Sequence, residues 1–565
     1  MAPQDKTHED PGMTSLRTLT LAALCALAAA GTSHAADTTA AQQLAHWSAQ
    51  AGSPGNADKG KIVYDKRCSQ CHGDTGAADG PGAETMLPRP RIFKENIAYK
   101  FRSTPTGALP TDQDLYRVIM EGITGSSMPG FPILKEAEIW DVIAYIKTLA
   151  EDFTDAELLA ESIPIPELAG PATPSSPEAI ARGKEVYTKQ KCSECHGLQG
   201  RGNGTGWEAL KDLKDDWGNP ILPRNLTNRE IYRNGSSAED IFRTVTTGLN
   251  GTPMKAYATE TTSAERWDLV HYVRSLGPAD KETRDENIVA ARVDTLPSTA
   301  EDEAWALAVP ARFQLLPNIV EPPRLFWSSV EFVTIQALYS SDEIALKISW
   351  DDRTQPNGAN LEGNYADPTA AGFASSKSKA NAIYKETDHP DQFAVQFPAK
   401  RKDFASRPYF LMGDKKRATN LWWWSSSKAD VIRDRNAKGF MQIKDQSEKD
   451  QALKGSATWA DGRYTMVVRR KLATGGKGDT EFVPGTFTPI AFNAWDGNRG
   501  EVGNRRAVST WYWLYLRPPT PDKVYSYPPF AALLTLGLLL FLIRTVRRSQ
   551  GMIGHEEEPA EASEA

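Results

Sequence analysis

The sequence predicts a multidomain protein, in which two similar all-α domains are followed by a mostly β sandwich domain and one C-terminal transmembrane helix. Three observations predict this order. A Cys-x-x-Cys-His segment occurs at Cys68 and again at Cys192, several stretches beyond residue 300 alternate apolar with polar side chains, and one long apolar run lies near the C-terminus. A chain of 565 residues is long enough for about three or four domains.

The composition is that of a globular protein. Hydrophobic residues make up 40% of the chain and charged residues 24%, which excludes a mainly disordered or fibrous protein. The formal net charge is -7, and no stretch is basic enough to track a phosphate backbone. We therefore expect no nucleic-acid partner.

The N-terminal segment has the features of an export signal. Arg17 precedes the apolar run of residues 19–30, and small residues follow up to Ala35. A positive start, an apolar centre and a small-residue cleavage site are typical of a secretory signal peptide, which we expect over residues 1–35. Cleavage there would remove Cys25 and leave four of the five cysteines in the mature chain.

The apolar run near the C-terminus predicts a membrane anchor. Residues 524–543 provide about 20 residues, enough to cross a bilayer. Arg544 and two further arginines follow, and the positive-inside rule places them, with the acidic tail 544–565, in the cytoplasm. We therefore expect a single-pass protein of the bacterial inner membrane with its folded domains in the periplasm. The alternative is a buried core helix, because the strictly apolar part, residues 530–543, is shorter than a typical membrane span.

Two consecutive segments repeat the same motifs. A Gly-Lys-x-Val-Tyr sequence precedes each Cys-x-x-Cys-His, a Met in a loop of small residues follows, and a helical segment with a Trp closes each repeat. Cys68, Met128 and Trp140 in the first repeat correspond to Cys192, Met254 and Trp267 in the second, at nearly equal offsets. Apolar residues at i, i+3 and i+4 predict helices in both repeats. We therefore expect two all-α domains, residues 53–152 and 176–278, joined by a Pro-rich linker, residues 153–175.

Each repeat carries the residues that attach a c-type haem. The two thiols of Cys-x-x-Cys-His bind the vinyl groups of one macrocycle, and the adjacent His becomes the proximal iron ligand. Zinc binding and a disulfide are the alternatives, but neither repeat has two further Cys or His at zinc spacing. We therefore expect two covalent haems c. The residues involved are Cys68, Cys71, His72, Cys192, Cys195 and His196.

A methionine in each repeat is the candidate sixth ligand of the iron. Met128 follows His72, and Met254 follows His196, at almost the same distance along the chain. Both lie in loops between two predicted helices. A His/Met pair raises the reduction potential and closes the iron to substrates, which favours electron transfer over catalysis. The alternatives are a core packing role for both methionines and, in the first repeat, ligation by Met86.

On these motifs each repeat resembles a class I cytochrome c domain, and the pair resembles a dihaem cytochrome c. His271 occupies the helix position matched by Ala144 in the first repeat, so we expect it to be a packing or surface residue. Arg89 and Arg224, each after Leu-Pro, are candidates for hydrogen bonds to a haem propionate or for solvated side chains.

Residues 301–518 have a different pattern. Apolar and polar residues alternate on both sides of a tight Ser-Asp-Glu connection near residue 342, which predicts a β-hairpin, and residues 463–470 and 508–516 also alternate. A sandwich is the expected architecture. The tryptophan row Trp422–Trp424 has two interpretations, alternating core packing and an exposed surface that stacks on sugars.

Several spaced motifs give this region a second resemblance. In order, the segments PYFLMGD (408–414), LWWW (421–424), AFNAWDG (491–497) and STWY (509–512) resemble the haem-b-binding domain of the gamma subunit of ethylbenzene dehydrogenase. Similar domains occur in the corresponding subunits of dimethylsulfide dehydrogenase, selenate reductase and chlorate reductase. The resemblance implies a β-sandwich that holds a non-covalent haem b between a Met and a Lys. It also implies electron exchange with a molybdenum subunit through an iron–sulfur subunit.

The resemblance assigns the Met ligand to Met412 but supplies no Lys. Where the family has Lys, this sequence has Arg505 and Arg506. A guanidinium stays protonated and has no lone pair to give iron. The β domain is therefore expected to hold a five-coordinate haem b, to use another ligand such as Lys415 or His389, or to lack haem b.

The sequence thus predicts an electron-transfer subunit rather than a catalytic one, and it offers no candidate catalytic residue. Two haems c would form a relay, and the β domain would carry a third haem or dock a redox partner. The expected partners are subunits of a molybdenum oxidoreductase and a soluble cytochrome or terminal oxidase. The alternatives are a dihaem enzyme, such as a peroxidase or thiosulfate-type dehydrogenase, and a non-redox binding role for the β domain.

Overall fold

The protein folds into two compact units, a helical unit before residue 279 and a β-rich unit after residue 284. The expected signal peptide, most of the linker and most of the acidic tail lie outside the residues that the structure describes. In this computed structural model the described residues are 55–86, 88–93, 99, 101–104, 108–155, 174–205, 222–250, 252–278, 285–355, 389–476, 478–519 and 523–551.

Within the described residues, each repeat of the helical unit contains four α-helices. In the first repeat they are α1 (Ala57–Arg67), α2 (Ser69–His72), α3 (Asp112–Glu121) and α4 (Glu136–Lys147). In the second they are α5 (Pro177–Lys189), α6 (Cys192–His196), α7 (Ala238–Thr247) and α8 (Ser263–Leu276). The order predicted from the repeated motifs is confirmed.

The first and last helices of each repeat cross at very short range. An added Cβ on Gly60 would stand 1.9 Å from the carbonyl oxygen of Asp141, and one on Gly183 would stand 2.0 Å from that of Asp268. Only glycine, which has no Cβ, allows the two backbones to approach this closely. An edge-to-face tyrosine pair, with ring centroids 5.1 Å apart, lies beside each crossing: Tyr64–Tyr145 and Tyr187–Tyr272.

The third helix of each repeat begins at a capping box, in which a hydroxyl and a carboxylate satisfy the free amide groups of the first turn. Thr111 and Asp114 cap α3, and Ser237 and Asp240 cap α7. Each helix ends at a glycine with positive φ, which turns the chain into the methionine loop. The boundaries of these loops are therefore set by local sequence.

The β-rich unit contains fourteen strands within its described residues. They are β1 (Asn287–Arg292), β2 (Ala311–Gln314), β3 (Leu316–Pro317), β4 (Phe332–Tyr339), β5 (Glu343–Asp351), β6 (Gln392–Pro398), β7 (Thr419–Ser425), β8 (Ile432–Ala437), β9 (Ile443–Asp445), β10 (Lys454–Ala460), β11 (Arg463–Lys471), β12 (Phe487–Trp495), β13 (Ala507–Val508) and β14 (Tyr512–Leu516). The main pairing order is β10-β11-β5-β4-β1-β14-β12-β6-β7-β8-β9.

This connected sheet folds into the expected sandwich. Trp350 of β5 stacks on Phe393 of β6 with ring centroids 4.5 Å apart, so strands from the two halves of the pairing order face each other across one core. The two halves remain joined because β1 pairs in parallel with both β4 and β14. The predicted hairpin is present as β4 and β5, which pair from Val333 opposite Trp350.

The tryptophan row packs inside the domain. Trp422 and Trp424 belong to the sandwich core, whereas Trp423 points to the other side of β7 and packs against Trp495 at 4.7 Å between ring centroids. All three side chains are buried. The sugar-stacking interpretation required an exposed row and is therefore wrong.

The alternating segment 508–516 is interrupted, because it contributes to two different pairings. β13 pairs with β3 and with the end of β12, whereas β14 pairs with β1 and the start of β12. Ser509 and Trp511 fix the break, since Ser509 exchanges hydrogen bonds with the backbone of Phe492 and the Trp511 indole donates to the carbonyl of Pro408.

The C-terminal helix α9 (Lys523–Ser549) is the one described helix that is long and apolar enough to cross a membrane. The candidate span covers Tyr527–Ser549, 23 residues, and the mean hydropathy of its apolar stretch is 2.0. Its large apolar side chains are exposed, with Leu533 at 68%. A core helix would bury them, so the membrane interpretation fits the structure and the core interpretation does not.

Candidate haem sites

Each Cys-x-x-Cys-His segment forms a short helix that ends at its histidine. Cys68 caps α2, and His72 closes its last turn by donating its amide to the Cys68 carbonyl at 2.9 Å. Cys192 begins α6 and His196 ends it. One helical turn therefore places two thiols and an imidazole of each motif side by side.

The four thiols in these motifs are free and half-buried. Burial raises the pKa of Cys68 to about 12 and that of Cys192 to about 11, and it also raises the pKa values of Cys71 and Cys195. The thiols are therefore neutral at physiological pH. This describes the chain before any covalent attachment.

Both histidine rings are oriented by a backbone carbonyl. His72 Nδ1 lies 2.9 Å from the carbonyl oxygen of Arg91, and His196 Nδ1 lies 2.8 Å from that of Arg224. A carbonyl only accepts, so Nδ1 carries the proton and the lone pair is on Nε2. Burial lowers the pKa of His72, which favours the neutral ring. Each ring is thus prepared to bind a metal through Nε2.

The turn after each histidine is held in the same way in both repeats. Gly73 and Gly197 have φ of 77° and accept a hydrogen bond from a buried tyrosine hydroxyl, Tyr64 at 2.8 Å and Tyr187 at 2.7 Å. These tyrosines are the ones in the repeated Gly-Lys-x-Val-Tyr sequence. Their spacing from the histidine follows from this contact.

The methionine loops also share one geometry. The Met128 carbonyl accepts from the amide of Ile123 at 3.0 Å, and the Met254 carbonyl accepts from the amide of Leu249 at 2.8 Å. The amide of each methionine donates to a hydroxyl two positions earlier, on Ser126 or Thr252, at 3.1 and 3.2 Å. Both methionine side chains are half-buried. The two loops therefore have the same backbone hydrogen bonds, and each carries its methionine at the equivalent position of the loop.

Met86 lies elsewhere in the first repeat. A Cβ added to Gly82 would stand 3.3 Å from the Met86 methyl and 3.9 Å from the Cys71 sulfur. Met86 is thus on the cysteine side of the site. His271 is buried on α8, which matches its expected packing role. Arg89 donates to the carbonyl of Ala83 at 3.0 Å, while Arg224 contributes the carbonyl that orients His196.

The two repeats contact each other through residues that the sequence did not identify. Arg102 is fully buried and donates to the carbonyl of Thr247 at 3.3 Å, while the Thr247 hydroxyl lies 3.4 Å from the Arg102 carbonyl. Arg117 donates to Asn234 Oδ1 at 2.9 Å and lies 3.5 Å from Asp240 Oδ1. No sequence motif predicts these pairs, because each joins positions that are far apart in the chain.

The first methionine loop takes part in this contact. A Cβ on Gly125 would stand 3.0 Å from the carbonyl of Ile231 in the second repeat. Met128 follows shortly after Gly125 in the same loop. The loop that presents Met128 is therefore close-packed against the second repeat.

In the β-rich unit, Met412 is completely buried. It packs with Trp423, Phe440 and Trp495 on the side of β7 that faces away from the sandwich core. Its φ is 67°, in the left-handed region that non-glycine residues seldom adopt. The Met412 carbonyl accepts from the amide of Gly439 at 2.9 Å. The burial and the left-handed backbone of Met412 indicate that the surrounding structure holds this residue in one conformation.

Arg506 lies at the same aromatic cluster, in the segment where the resemblance implies a lysine. It is fully buried, with its guanidinium 4.8 Å from the Phe440 ring centroid and 5.8 Å from that of Trp495. It donates to Asn493 Oδ1 at 2.9 Å and Asn504 Oδ1 at 2.8 Å. A protonated guanidinium offers no lone pair to iron. The residues at this cluster therefore do not fit a haem b held between Met412 and this strand.

The other ligands considered for this domain lie elsewhere. Lys415 is on the surface. His389 is half-buried with its carbonyl against Gly497, where an added Cβ would stand 1.9 Å from the carbonyl oxygen. Arg505 is half-buried, whereas Arg506 points inward.

Comparison with known families agrees with these features. A family model described as cytochrome c matches residues 57–150 and 180–277, and a model described as ethylbenzene dehydrogenase matches residues 302–442. The helical unit therefore consists of two cytochrome c domains, which carry covalent haem c. The β-rich unit is of the ethylbenzene dehydrogenase gamma-subunit type, a type that favours haem b.

Three curated relatives have similar sequences. A proposed respiratory nitrate reductase heme subunit of Haloferax mediterranei is 25% identical over 50% of this chain and 93% of its own length. The chlorate reductase subunit gamma of Ideonella dechloratans is 25% identical over 33% of this chain and 65% of its own. The cbb3-type cytochrome c oxidase subunit FixP of Azorhizobium caulinodans is 24% identical over 39% and 59%. The chain thus spans less than two thirds of the last two.

Proposed function

From a chain that carries two cytochrome c domains and a domain of the ethylbenzene dehydrogenase type, we propose a membrane-associated multihaem subunit that transfers electrons between a respiratory oxidoreductase and a cytochrome or terminal oxidase. The observation that carries this proposal is the equivalence of the two sites. Both have an imidazole oriented through Nδ1 and a methionine loop closed by the same hydrogen bonds. Two equivalent sites that would fill every coordination position of the iron suit electron transfer better than substrate binding.

The residue roles follow from that geometry. Cys68, Cys71, Cys192 and Cys195 would form the thioether bonds, with His72 and His196 as proximal ligands and Met128 and Met254 as distal ligands. The bound haems would supply one-electron iron couples. The chain's own contribution is to fix both ligands in advance, because the ring orientation and the loop backbone are set by hydrogen bonds to main-chain groups.

The contact between the two domains supports a relay. Arg102, Arg117 and Thr247 tie the domains together, and the Met128 loop is packed against the second domain. These contacts would hold the two sites at one separation. Electrons could then pass within one chain without a diffusional encounter.

The β-rich unit would dock a redox partner. The relatives are subunits named for nitrate reductase, chlorate reductase and a cytochrome oxidase, which supports a partner among respiratory complexes. A molybdenum oxidoreductase on one side and a soluble cytochrome or oxidase on the other fit the proposal. A haem b in this unit would need a second ligand other than Arg506, since a protonated guanidinium has no lone pair to give iron.

The membrane helix sets the proposed location. Arg544, Arg547 and Arg548 lie at the end of α9 and would remain in the cytoplasm of a bacterial cell. A signal peptide over residues 1–35 would place the haem domains, 53–152 and 176–278, in the periplasm at the inner membrane.

A haem count by type tests the cofactor content. Acid–acetone extraction of the detergent-solubilised protein removes non-covalent haem, and pyridine haemochrome spectra count haem in each fraction. We expect two retained haems c. One extracted haem b per chain would show that the β-rich unit binds this haem with a ligand other than Arg506, no extracted haem would show that the unit lacks it, and fewer than two retained haems would contradict the relay.

Methionine substitutions test the ligands. Met128→Ala and Met254→Ala should each abolish the methionine–iron charge-transfer band of one ferric haem and lower its reduction potential, since the thioether favours ferrous iron. Met86→Ala is the matched control and should leave the potentials unchanged. Peroxidase activity in the unmodified protein would instead favour the dihaem enzyme.

A further inference from the structure

Four buried carboxyl groups lie together at one end of the β sandwich. Asp352, Asp391 and Asp496 each offer an oxygen within 4.8 Å of the others. Glu501 adjoins them, because it accepts the amide of Asp496 at 3.1 Å. The relative exposure of these four side chains is 2% or less. None of them belongs to the haem domains or to the Met412 cluster.

The strand register explains why they meet. Asp391 comes directly before β6 and Asp496 directly after β12, and these strands pair with Gln392 opposite Trp495. Asp352 comes directly after β5, in the opposite half of the sandwich. The cluster therefore joins strand ends from both halves of the domain.

Main-chain groups hold several of the oxygens in place. Asp391 accepts the amide of Gly497 at 2.8 Å and the hydroxyl of Tyr464 at 2.8 Å. Asp496 accepts the amide of Arg499 at 3.2 Å, and Glu501 accepts the amide of Ser329 at 3.2 Å. The cluster is thus a built arrangement rather than a chance meeting of long side chains.

One oxygen in the cluster has no partner among the residues that the structure describes. Asp352 accepts the amide of Thr354 through Oδ1 at 3.3 Å, but its Oδ2 is buried and receives no hydrogen bond from any described residue. Leaving a buried carboxylate oxygen without a donor is costly, because the desolvation of the oxygen is not compensated. This oxygen is available to a ligand that the four acids share.

Within the described part of the chain, the charge in the cluster is also incompletely balanced. Arg353 and Arg499 lie close enough to lower the pKa of Asp496, so two described guanidinium groups face four carboxyl groups. Burial is the main cause that raises the pKa values of all four acids, and repulsion among them adds to it at Asp352, Asp391 and Glu501. Keeping all four groups charged without a cation is therefore costly.

We propose that Asp352, Asp391, Asp496 and Glu501 form a binding site for one Ca²⁺ ion. All of these ligand atoms are oxygens, which suits a hard cation and not zinc or copper. Oxygens on opposite sides of a Ca²⁺ ion lie about 4.6–5.2 Å apart, so the three aspartate oxygens, which lie within 4.8 Å of one another, can surround one ion. Mg²⁺ usually keeps several water molecules and fits a buried, carboxylate-rich site less well.

The ion would fasten the two halves of the sandwich at this end. It would bind Asp352 beyond β5 and Asp391 and Asp496 beside β6 and β12, so it would act as a structural cross-link. Its role is separate from electron transfer and stands or falls independently of the haem ligands.

Metal content and chelation test the site in the full-length, detergent-solubilised protein. After gel filtration in metal-depleted buffer, elemental analysis should find one calcium per chain. Treatment with a calcium chelator should lower the Tm of the β-rich unit, and Ca²⁺ at about 100-fold excess over its Kd should restore it by about 5–10 °C. The proposal would be overturned if the purified protein contained no calcium and its Tm were the same with and without chelator.

A variant separates metal binding from folding. Asp352→Asn keeps the shape but removes one of four repelling charges, so in chelator it should be at least as stable as the unmodified protein. It should bind Tb³⁺ at least roughly tenfold more weakly, measured by luminescence excited through Tyr464 and Trp495, because fewer anionic ligands remain.

Asp434→Asn is the matched control. Asp434 is also a fully buried carboxylate of this unit, but Gln446 donates to it at 2.9 Å and Arg470 lies 3.8 Å away. Tb³⁺ binding should be unchanged in this variant. Equal loss of Tb³⁺ binding in both variants, or displacement of Tb³⁺ by Mg²⁺ but not by Ca²⁺, would overturn the assignment.

Discussion

Single carbonyl groups decide the chemistry of both histidines. The Arg91 and Arg224 carbonyls fix the proton on Nδ1, which leaves Nε2 as the only nitrogen able to bind iron. Because the contact uses the main chain, the identity of the arginine side chains does not matter to it. These two carbonyl groups are therefore determinants of the site that side-chain motifs do not reveal.

Another buried carboxyl group of the β-rich unit, that of Asp434, predicts that the stability of this unit depends on pH. Burial and repulsion from Asp479 raise the pKa of Asp434 to about 7, against a partial offset from Arg470. The folded state therefore binds this proton more tightly than the unfolded state, in which an Asp has a pKa of about 3.9. The resulting stability is complete below about pH 4 and is lost as pH rises through 7.

Replacing Asp434 with Asn should remove that dependence. Relative to the unmodified protein, Asp434→Asn should gain roughly 2–4 kcal/mol of unfolding free energy between pH 4 and pH 8. Urea unfolding followed by tryptophan fluorescence at several pH values measures it. Asp430→Asn, at an exposed position, is the control and should run parallel to the unmodified protein. Parallel curves for both variants would show that Asp434 does not carry the proton.

At the scale of elements, the helix crossings define each haem domain. Gly60 and Gly183 are helical glycines at which alanine would ordinarily be favourable, since glycine costs about 0.5–1 kcal/mol in a helix. At these two positions alanine would instead be destabilising, because an added methyl would meet a backbone carbonyl oxygen at 1.9 or 2.0 Å. A carbonyl on a packed helix cannot move aside as a flexible side chain can.

Gly183→Ala should therefore destabilise the second haem domain by about 1–3 kcal/mol, the usual cost of overpacking. Urea unfolding followed by the absorption of the covalent haems c reports this, since those haems belong to the helical unit. Gly537→Ala, in α9 with no atom within 4 Å of the added Cβ, is the control and should not change the curve. A neutral or stabilising Gly183→Ala would mean that α5 and α8 do not cross this closely.

At the scale of the molecule, the two haem domains behave as one helical unit because few but buried contacts join them. Arg117 has only 14% of its side chain exposed and contacts both Asn234 and Asp240 of the other domain. Breaking one partner of a buried polar contact costs more than breaking an exposed one, since the groups left behind stay desolvated. The joint should therefore be sensitive to this one residue.

Arg117→Met should weaken the coupling by about 1–3 kcal/mol and split the unfolding of the helical unit into two transitions. Calorimetry on the haem-loaded protein detects the split, and flash-initiated electron exchange between the haems should slow in parallel. Lys61→Met removes an exposed i,i+4 pair with Asp65 and is the control, for which we expect no split. A single unchanged transition in Arg117→Met would show that other contacts hold the domains together.

The sequence by itself determined the order of the domains, because each depends on short-range chemistry. Cys-x-x-Cys-His needs only one helical turn, the capping residues act within four positions, and strand alternation reports burial of one face. For the same reason it suggested Met128 and Met254, which the structure sets in loops of equal geometry. The haem ligation by these residues remains a prediction.

Only the tertiary structure decided what depends on distant parts of the chain. The burial of Trp422–Trp424, the break between β13 and β14, and the joint at Arg117 all depend on partners from other elements. So does the carboxylate cluster, whose members are brought together by strand register from positions 352 to 501. Sequence patterns record the preference of a segment for burial or a turn, whereas these features depend on which segment packs against it.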